Sequence, residues 1–111
     1  MEDFIAGEVV IVRFPFSDLT STKLRPALII AGVDRKDYIL CQITSKGYGD
    51  NRAISLKKGS FLEGQLPLDS YIRPGKIFTA NSSIILKKTG KLERFYFQRV
   101  IESIISLIQG K

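Results

Sequence analysis

Three polar residues, each beside a turn or the end of an apolar run, have the side chains needed to bind one phosphate group. Arg25 precedes Pro26 and an apolar run, Thr44 closes another apolar run, and Arg73 precedes a Pro-Gly pair. Two guanidinium groups can hold a phosphate through paired hydrogen bonds, and a threonine hydroxyl can donate to a further oxygen. Such a set stabilises the negative charge that develops on the non-bridging oxygens of a phosphorane.

Cleavage of RNA does not require a nucleophile from the protein, because the 2′-hydroxyl of the RNA is itself a nucleophile beside the phosphorus. An enzyme for that cleavage needs positioning and charge more than a protein nucleophile or a metal. The chain has no histidine and one cysteine, Cys41, which excludes a Ser-His triad, a Cys-His pair, a His-ligated metal and a structural zinc site. We therefore predict no metal and no other cofactor, and the proton acceptor is left unassigned.

Each of these residues also has a purely structural interpretation. Arg25 can be a strand-edge arginine in a surface ion pair, which the pattern alone favours. Thr44 can be a β-former on a half-buried face, and Arg73 can be a solvated cation before a turn.

Length and charge limit the class of protein. With 111 residues the chain has room for a single domain, 1–111, with one core. The net charge of +6 favours phosphate backbones or acidic proteins as partners. Its apolar runs are far too short to span a membrane and the N-terminus does not resemble a signal peptide, so we expect a cytoplasmic protein without a membrane partner.

Short apolar runs separated by turn residues predict a β-rich fold. The first strand is predicted at 7–14, followed by a polar connection at 16–23. The second, at 25–31, is almost free of polar residues, which predicts burial on both faces; Pro26 is expected at its first position because proline cannot donate to a ladder. The third, at 38–45, alternates between two faces and ends in the Thr44-Ser45 pair.

In the second half of the chain, the spacing of the apolar residues changes from that of strands to that of a helix near the end. A short strand at 53–56 is followed by two strand pieces, 69–73 and 75–80, broken at Pro74-Gly75. Residues 84–86 form a further short strand and 87–91 a basic turn. An amphipathic helix is then predicted from about 93 to 108, closed by Gly110. Its apolar residues recur at spacings of three and four: Phe97, Val100, Ile101, Ile104, Ile105 and Ile108.

Together these elements predict a mainly β protein, a small antiparallel barrel or strongly bent sheet with a C-terminal α-helix packed against it.

Six short segments follow one another in a recognisable order: GEVVIV at 7–12, RPALII at 25–30, QITS at 42–45, DSYIR at 69–73, IFT at 77–79 and GKL at 90–92. This order resembles the PemK/MazF family of toxin–antitoxin ribonucleases. The likeness covers roughly residues 7–108, and one branch of the family has Arg-x-Asp where this chain has Arg73-Pro74-Gly75.

The resemblance implies an SH3-like antiparallel barrel of the PemK/CcdB type that forms a homodimer. It also implies metal-independent cleavage of single-stranded RNA at short sequences, with 2′,3′-cyclic phosphate and 5′-hydroxyl products. Arg25 and Thr44 correspond to the family's catalytic pair, and the partner is an acidic antitoxin with a disordered tail. The loop that moves over the site corresponds to the connection before Arg25, which includes Phe16, Ser17, Asp18, Thr20 and Ser21.

The sequence therefore predicts an endoribonuclease toxin of a type II toxin–antitoxin system, with Arg25, Thr44 and Arg73 as catalytic residues. Two alternatives are a non-catalytic RNA- or antitoxin-binding barrel and, less favoured by the Arg25/Thr44 pattern, a CcdB-like gyrase inhibitor. The predicted RNA contacts are Lys23, Ser45, Lys46, Tyr48 and Lys76.

Overall fold

The computed structural model describes residues 4–15, 22–47 and 49–111, which form an antiparallel, curled half-barrel sheet with a C-terminal helix. The mainly β fold predicted from the sequence is confirmed. Seven strands in the described residues follow the order β4-β6-β3-β2-β1-β7-β5. The strands are β1 (Glu8–Pro15), β2 (Thr22–Gly32), β3 (Asp37–Thr44), β4 (Ile54–Leu56), β5 (Phe61–Gly64), β6 (Ser70–Asn81) and β7 (Ile85–Leu92), and the helix is α1 (Arg94–Ile108).

The middle of β2 is buried on both faces, as its unbroken apolar run predicts. Ala27, Leu28 and Ile29 have no exposed surface. Leu28 belongs to the helix-side core, which also contains Cys41, Ile43, Ile72 and Val100 among others. Ala27 and Ile29 belong to the far core on the opposite face, together with Val10, Val12 and Leu40 among others. β3 alternates between the same two cores, so its predicted pair of faces is confirmed.

Pro26 and Arg25 lie deeper in β2 than the sequence predicts. The strand begins at Thr22, so Pro26 is not its first residue and Arg25 is not at the junction of loop and strand. Pro26 pairs with Ile11 of β1, and it directly precedes Ala27, the first β2 residue paired with β3. The proline therefore lies just outside the segment where β2 has neighbours on both sides, and the early part of the strand forms because β1 pairs with it.

β6 is one continuous strand, so the predicted break at Pro74-Gly75 is wrong. Cys41 of β3 pairs with Ile77, whereas its neighbour Gln42 pairs with Arg73. The three intervening residues, 74–76, form a bulge that keeps the strand going. Pro74 is fully buried in this bulge, which is one of the positions in a sheet that tolerate proline.

The predicted basic turn at 87–91 is also wrong, because these residues belong to β7. Lys87 pairs with Ile11 and Lys88 with Val10, with register shifts on either side of that pair of rungs. Pairing with β1 outweighs the turn propensity of the Lys-Thr-Gly sequence. Lys88 forms ion pairs with Glu8 and Glu63, at 3.3 and 3.1 Å, which offset the charge on this strand.

The predicted helix is confirmed, although it buries only part of its apolar stripe. Val100 and Ile104 are buried in the helix-side core, and Phe97 packs against them. Ile105 and Ile108 are 47% and 73% exposed. Gly110 ends the helix with a φ of 77°, a conformation that glycine adopts without strain.

The contact between β5 and β7 depends on a glycine at position 64. Gly64 has a φ of 70°, and a Cβ placed there would clash with the carbonyl oxygen of Thr89 and the backbone of Gly90. We expect Gly64→Ala to lower the free energy of unfolding by about 2 kcal/mol or more, from the positive φ and the backbone clash together. Gly59→Ala is the matched control, since nothing lies within 4 Å of a Cβ at that position. Urea unfolding of both variants measures the difference, and equal stability would contradict the role of Gly64.

Candidate active site

β2 and β3 bring Arg25 and Thr44 together. The two strands pair from Gly32 with Tyr38 down to Ala27 with Gln42. Both strands continue past this last pair, where they no longer pair with each other. Alternation along each strand places Arg25 on the face of Ala27 and Thr44 on the face of Gln42, and these two residues share the far-core face. The two predicted catalytic residues therefore belong to the same face, and both line one cavity at this edge of the β2–β3 pairing.

β6 adds two more polar residues to this face. Tyr71 pairs with Thr44, and Arg73 pairs with Gln42. Arg73 is consequently diagonal to Thr44 and two strands away from Arg25, on the same side of the sheet. The structure thus brings all three predicted catalytic residues to one face, although Arg73 lies inside β6 and not at a strand end. Tyr71 was missed, because its role as the cross-strand neighbour of Thr44 follows only from the register.

The Thr44 hydroxyl is held in a defined position. Thr44 is only 6% exposed, and its Oγ1 accepts a hydrogen bond of 3.2 Å from the backbone N–H of Lys46. A hydroxyl that accepts one hydrogen bond still has its own proton to donate. Among the described contacts of Thr44, the hydroxyl acts only as an acceptor. Its proton can therefore be directed to a ligand oxygen.

Arg73 forms an ion pair with Asp50 from the loop between β3 and β4. The Arg73 Nε lies 2.9 Å from the Asp50 Oδ2, and both side chains are less than one-fifth exposed. The hydrogen bond from the Arg73 side chain, aided by the N–H of Arg52 on Oδ1, lowers the pKa of Asp50. At neutral pH Asp50 is thus a charged partner that ties the loop to β6.

A cavity of about 580 Å³ opens where β2 and β3 stop pairing. Five predicted site residues line it: Lys23, Arg25, Thr44, Ser45 and Lys46. Arg73 and Lys76 are not among its described lining residues. Lys76 lies in the bulge of β6, on the exposed surface. The structure therefore groups Arg25 and Thr44 with most of the predicted RNA contacts and leaves Lys76 apart.

The cavity also contains residues that the sequence analysis missed. Lys87 and Thr89 reach it from β7, where a basic turn was predicted. Four cations line it, and no carboxylate does so among the described residues. An apolar wall completes the cavity, formed by Ile11, Leu24, Pro26, Ile43, Leu66, Pro67 and Leu68. Lys87 pairs with Ile11 of β1, and Ile11 pairs with Pro26 of β2. This strand pairing, which the sequence does not show, brings Lys87 to the cavity.

Some predicted site residues lie outside the described part of the chain. These are the RNA contact Tyr48 and the residues of the predicted mobile loop, Phe16, Ser17, Asp18, Thr20 and Ser21. Their predicted roles stay predictions.

Cys41 is not suited to nucleophilic chemistry. It is fully buried in the helix-side core, and its thiol donates a 2.8 Å hydrogen bond to the carbonyl oxygen of Arg73. Burial, and to a lesser extent the charge of Asp50, raises the pKa of Cys41 to about 12. Since the thiolate is the reactive form, this cysteine is a structural residue at neutral pH.

Within the described residues, no cluster of three or more histidine, cysteine or carboxylate side chains is positioned to hold a metal ion. None of the helices described is both long and apolar enough to cross a membrane.

Comparison with known proteins identifies the family. The model of the PemK-like, MazF-like toxins of type II toxin–antitoxin systems matches residues 5–108, nearly the whole chain. The protein belongs to this toxin family. The family predicted from the motifs is thereby confirmed. No curated protein sequence matches the chain significantly.

Solved structures of similar fold include other toxins of the MazF type. A MazE–MazF complex from Deinococcus radiodurans shares 15% identity with a TM-score of 0.79, covering 98% of this chain and 100% of the other. A mycobacterial endoribonuclease shares 14% identity with a TM-score of 0.73, covering 98% and 94%. A mycobacterial endoribonuclease in complex with its cognate antitoxin shares 12% identity with a TM-score of 0.72, covering 96% of each chain. At these identities the comparisons establish a PemK/MazF-like fold.

The ion pair of Arg73 and Asp50 gives a direct prediction for this PemK/MazF-like toxin. Arg73→Gln removes the main interaction that lowers the pKa of Asp50, so we expect that pKa to rise toward the ordinary aspartate value. In the parent protein the pair stabilises the fold above the unfolded-state pKa of aspartate and loses this effect as the pH falls through the lower native pKa. Carboxyl ¹³C NMR titration measures the Asp50 midpoint, and Lys76→Gln is the charge-matched control. An unchanged midpoint in Arg73→Gln would contradict the pairing.

Proposed function

We propose that this toxin is a sequence-specific, metal-independent endoribonuclease that cleaves single-stranded RNA. The observation that supports the proposal is that Arg25 and Thr44 line one cavity, which has four cationic lining residues and no carboxylate among the described ones. Such a cavity attracts a phosphodiester and stabilises additional negative charge on it. The similar mycobacterial structures are those of endoribonucleases, which supports the same reaction class.

In the proposed reaction, the 2′-oxygen of the substrate attacks the adjacent phosphorus and forms a pentavalent phosphorane. The 2′-hydroxyl gives up its proton to water as it attacks, the bond to the 5′-oxygen then breaks, and that oxygen takes up a proton from water, which leaves a 2′,3′-cyclic phosphate and a 5′-hydroxyl. The Arg25 guanidinium stabilises the charge that develops on the non-bridging oxygens. The Thr44 hydroxyl donates to one of the same oxygens and so fixes the phosphate relative to Arg25.

The remaining lining residues suit a single-stranded nucleic acid. Lys23, Lys46 and Lys87 supply charge for phosphates on either side of the scissile bond. Leu24 and Leu68 are 56% and 64% exposed at the cavity, so they offer apolar surface for an unpaired base. Arg73 acts mainly through Asp50: it anchors the loop that carries Ser45 and Lys46, and adds positive charge to the face that Thr44 occupies.

An acidic antitoxin and a second copy of the chain are the proposed protein partners. The complexes of MazE with MazF and of the mycobacterial endoribonuclease with its antitoxin support an antitoxin partner. A net charge of +6 favours an acidic segment that covers the RNA site. The exposed Ile105 and Ile108 on α1 offer apolar surface for a homodimer. We expect the protein to act in the cytoplasm, where its RNA substrates are.

Incubation of the purified protein with a long single-stranded RNA in EDTA tests the activity. We expect cleavage at a small set of sequences, with new 5′-hydroxyl and 2′,3′-cyclic phosphate ends found by end mapping. Salt-sensitive binding without new ends would instead identify an RNA- or antitoxin-binding barrel, and DNA breaks with intact RNA a gyrase inhibitor.

The control for this experiment is Arg25→Ala, which we expect to abolish cleavage and leave the thermal midpoint nearly unchanged. Cleavage by this variant at the parental rate would remove Arg25 from the mechanism.

Thr44 offers a second test, through a pair of nearly isosteric substitutions. Thr44→Val removes the hydroxyl, and the loss of one donor to the developing charge typically costs about 10²–10³ in rate. Thr44→Ser keeps the hydroxyl, which can still donate to the phosphate and still accept from the Lys46 N–H, so this variant should retain most of the activity. Single-turnover cleavage of a short RNA measures both rates. Equal rates for the two variants would show that Thr44 acts only through its shape.

A further inference from the structure

A second basic cleft lies between α1 and the loop that precedes β4, with a volume of about 350 Å³. On the helix it is lined by Arg99, Ser103 and Ser106. Their spacing of four and three residues places them on one face of α1. The other wall consists of residues 51–53 of the loop, among them Arg52, and of Ile54, the first residue of β4. None of the described residues that line this Arg52–Arg99 cleft is a carboxylate.

The nearby carboxylates compensate only part of the charge of the two arginines. Asp50 accepts from the Arg73 side chain and from the backbone N–H of Arg52, and the charge of Arg52 contributes to the lowered pKa of Asp50 less than the hydrogen bond from Arg73 does. Glu102 lies on the same helix as Arg99, but no ion pair joins them among the described residues. The charge of Arg99 is therefore available to a ligand, and that of Arg52 is shared with Asp50.

Donors from the two walls already converge on one oxygen. The Nη2 of Arg52 and the Oγ of Ser106 both donate to the main-chain oxygen of Lys111, each at 3.4 Å, so a ligand in the cleft would take over these two donors. These hydrogen bonds are long, whereas charge-assisted bonds to a phosphate oxygen are shorter and about twice as strong. The Arg99 guanidinium lies 5.9 Å from the centroid of the Phe95 ring, a cation–π contact on the same helix.

We propose that the Arg52–Arg99 cleft binds a phosphate group through the guanidinium groups of Arg52 and Arg99 and the hydroxyls of Ser103 and Ser106. The phosphate can belong to a free ion or to the backbone of an RNA strand that extends from the Arg25–Thr44 cavity. The loop between β3 and β4 connects the two places, since Lys46 lines the cavity and Arg52 lines the cleft. Only the RNA source rests on the proposed function.

Inorganic phosphate is the first probe, titrated at constant ionic strength and followed by ¹⁵N NMR of arginine side chains and helix amides. We expect saturable shifts at Arg52, Arg99 and Ser106 in the parent and their loss in the double variant Arg52→Gln/Arg99→Gln. The control is Lys57→Gln/Lys58→Gln, which removes the same charge from two exposed residues that do not line the cleft. All variants are compared only where their thermal midpoints match the parent.

The RNA arm uses fluorescence anisotropy of a long single-stranded RNA on the non-cleaving Arg25→Ala background, at several salt concentrations. If the cleft binds a backbone phosphate, the double arginine variant should reduce the slope of log affinity against log salt by about 0.7, and the lysine control should not. Loss of phosphate binding with an unchanged slope would assign the cleft to a free phosphate. Absence of saturable phosphate binding together with an unchanged slope, or equal effects of the arginine and lysine pairs, would overturn the proposal. The phosphate arm is informative even if the protein cuts no RNA.

Discussion

The pleat of β2 between two cores is the constraint on which the site depends. Leu28 is buried toward the helix and Ala27 and Ile29 toward the opposite face, and none of the three has exposed surface. A slip of one residue in the pairing would turn all three toward the wrong core. It would also turn Arg25 away from Thr44, because the direction of Arg25 is set by the same alternation. The hydrophobic burial that fixes the fold therefore also fixes which polar side chains meet.

Three carboxylates of the described chain are held in ion pairs outside the cavity. Asp50 is tied to Arg73 and to the loop backbone, and Glu8 and Glu63 are tied to Lys88. None of these carboxylates lines the cavity that contains Arg25 and Thr44, whereas Lys23, Lys46 and Lys87 do. Among the described residues, the charged side chains that line the cavity are all cations, as a site for a phosphodiester requires. The overall charge of +6 is thus distributed so that it acts where the substrate is proposed to bind.

The sequence predicts best those features that follow from local alternation. The buried β2, the two faces of β3 and the helix at 94–108 follow from apolar periodicity, and the motif order identifies the family. The partners of each strand do not follow from it, because they depend on tertiary pairing. Lys87 was assigned to a turn since nothing in its neighbourhood shows that β1 continues the sheet there. Tyr71 and the ion pair of Arg73 with Asp50 were missed for the same reason.

The Pro74-Gly75 pair interrupts regular strand pairing, as the sequence predicts, but the pairing with β3 decides that the strand continues beyond it. Proline and glycine do interrupt regular pairing, but here the interruption is a bulge and the strand continues. In an unbroken strand Arg73 and Ile77, four residues apart, would point to the same face. The bulge places them opposite the consecutive residues Gln42 and Cys41, so they point to opposite faces. Ile77 then belongs to the side of Cys41, and Arg73 to the side of Thr44. The residues predicted to end a strand therefore place Arg73 on the face that carries Arg25 and Thr44.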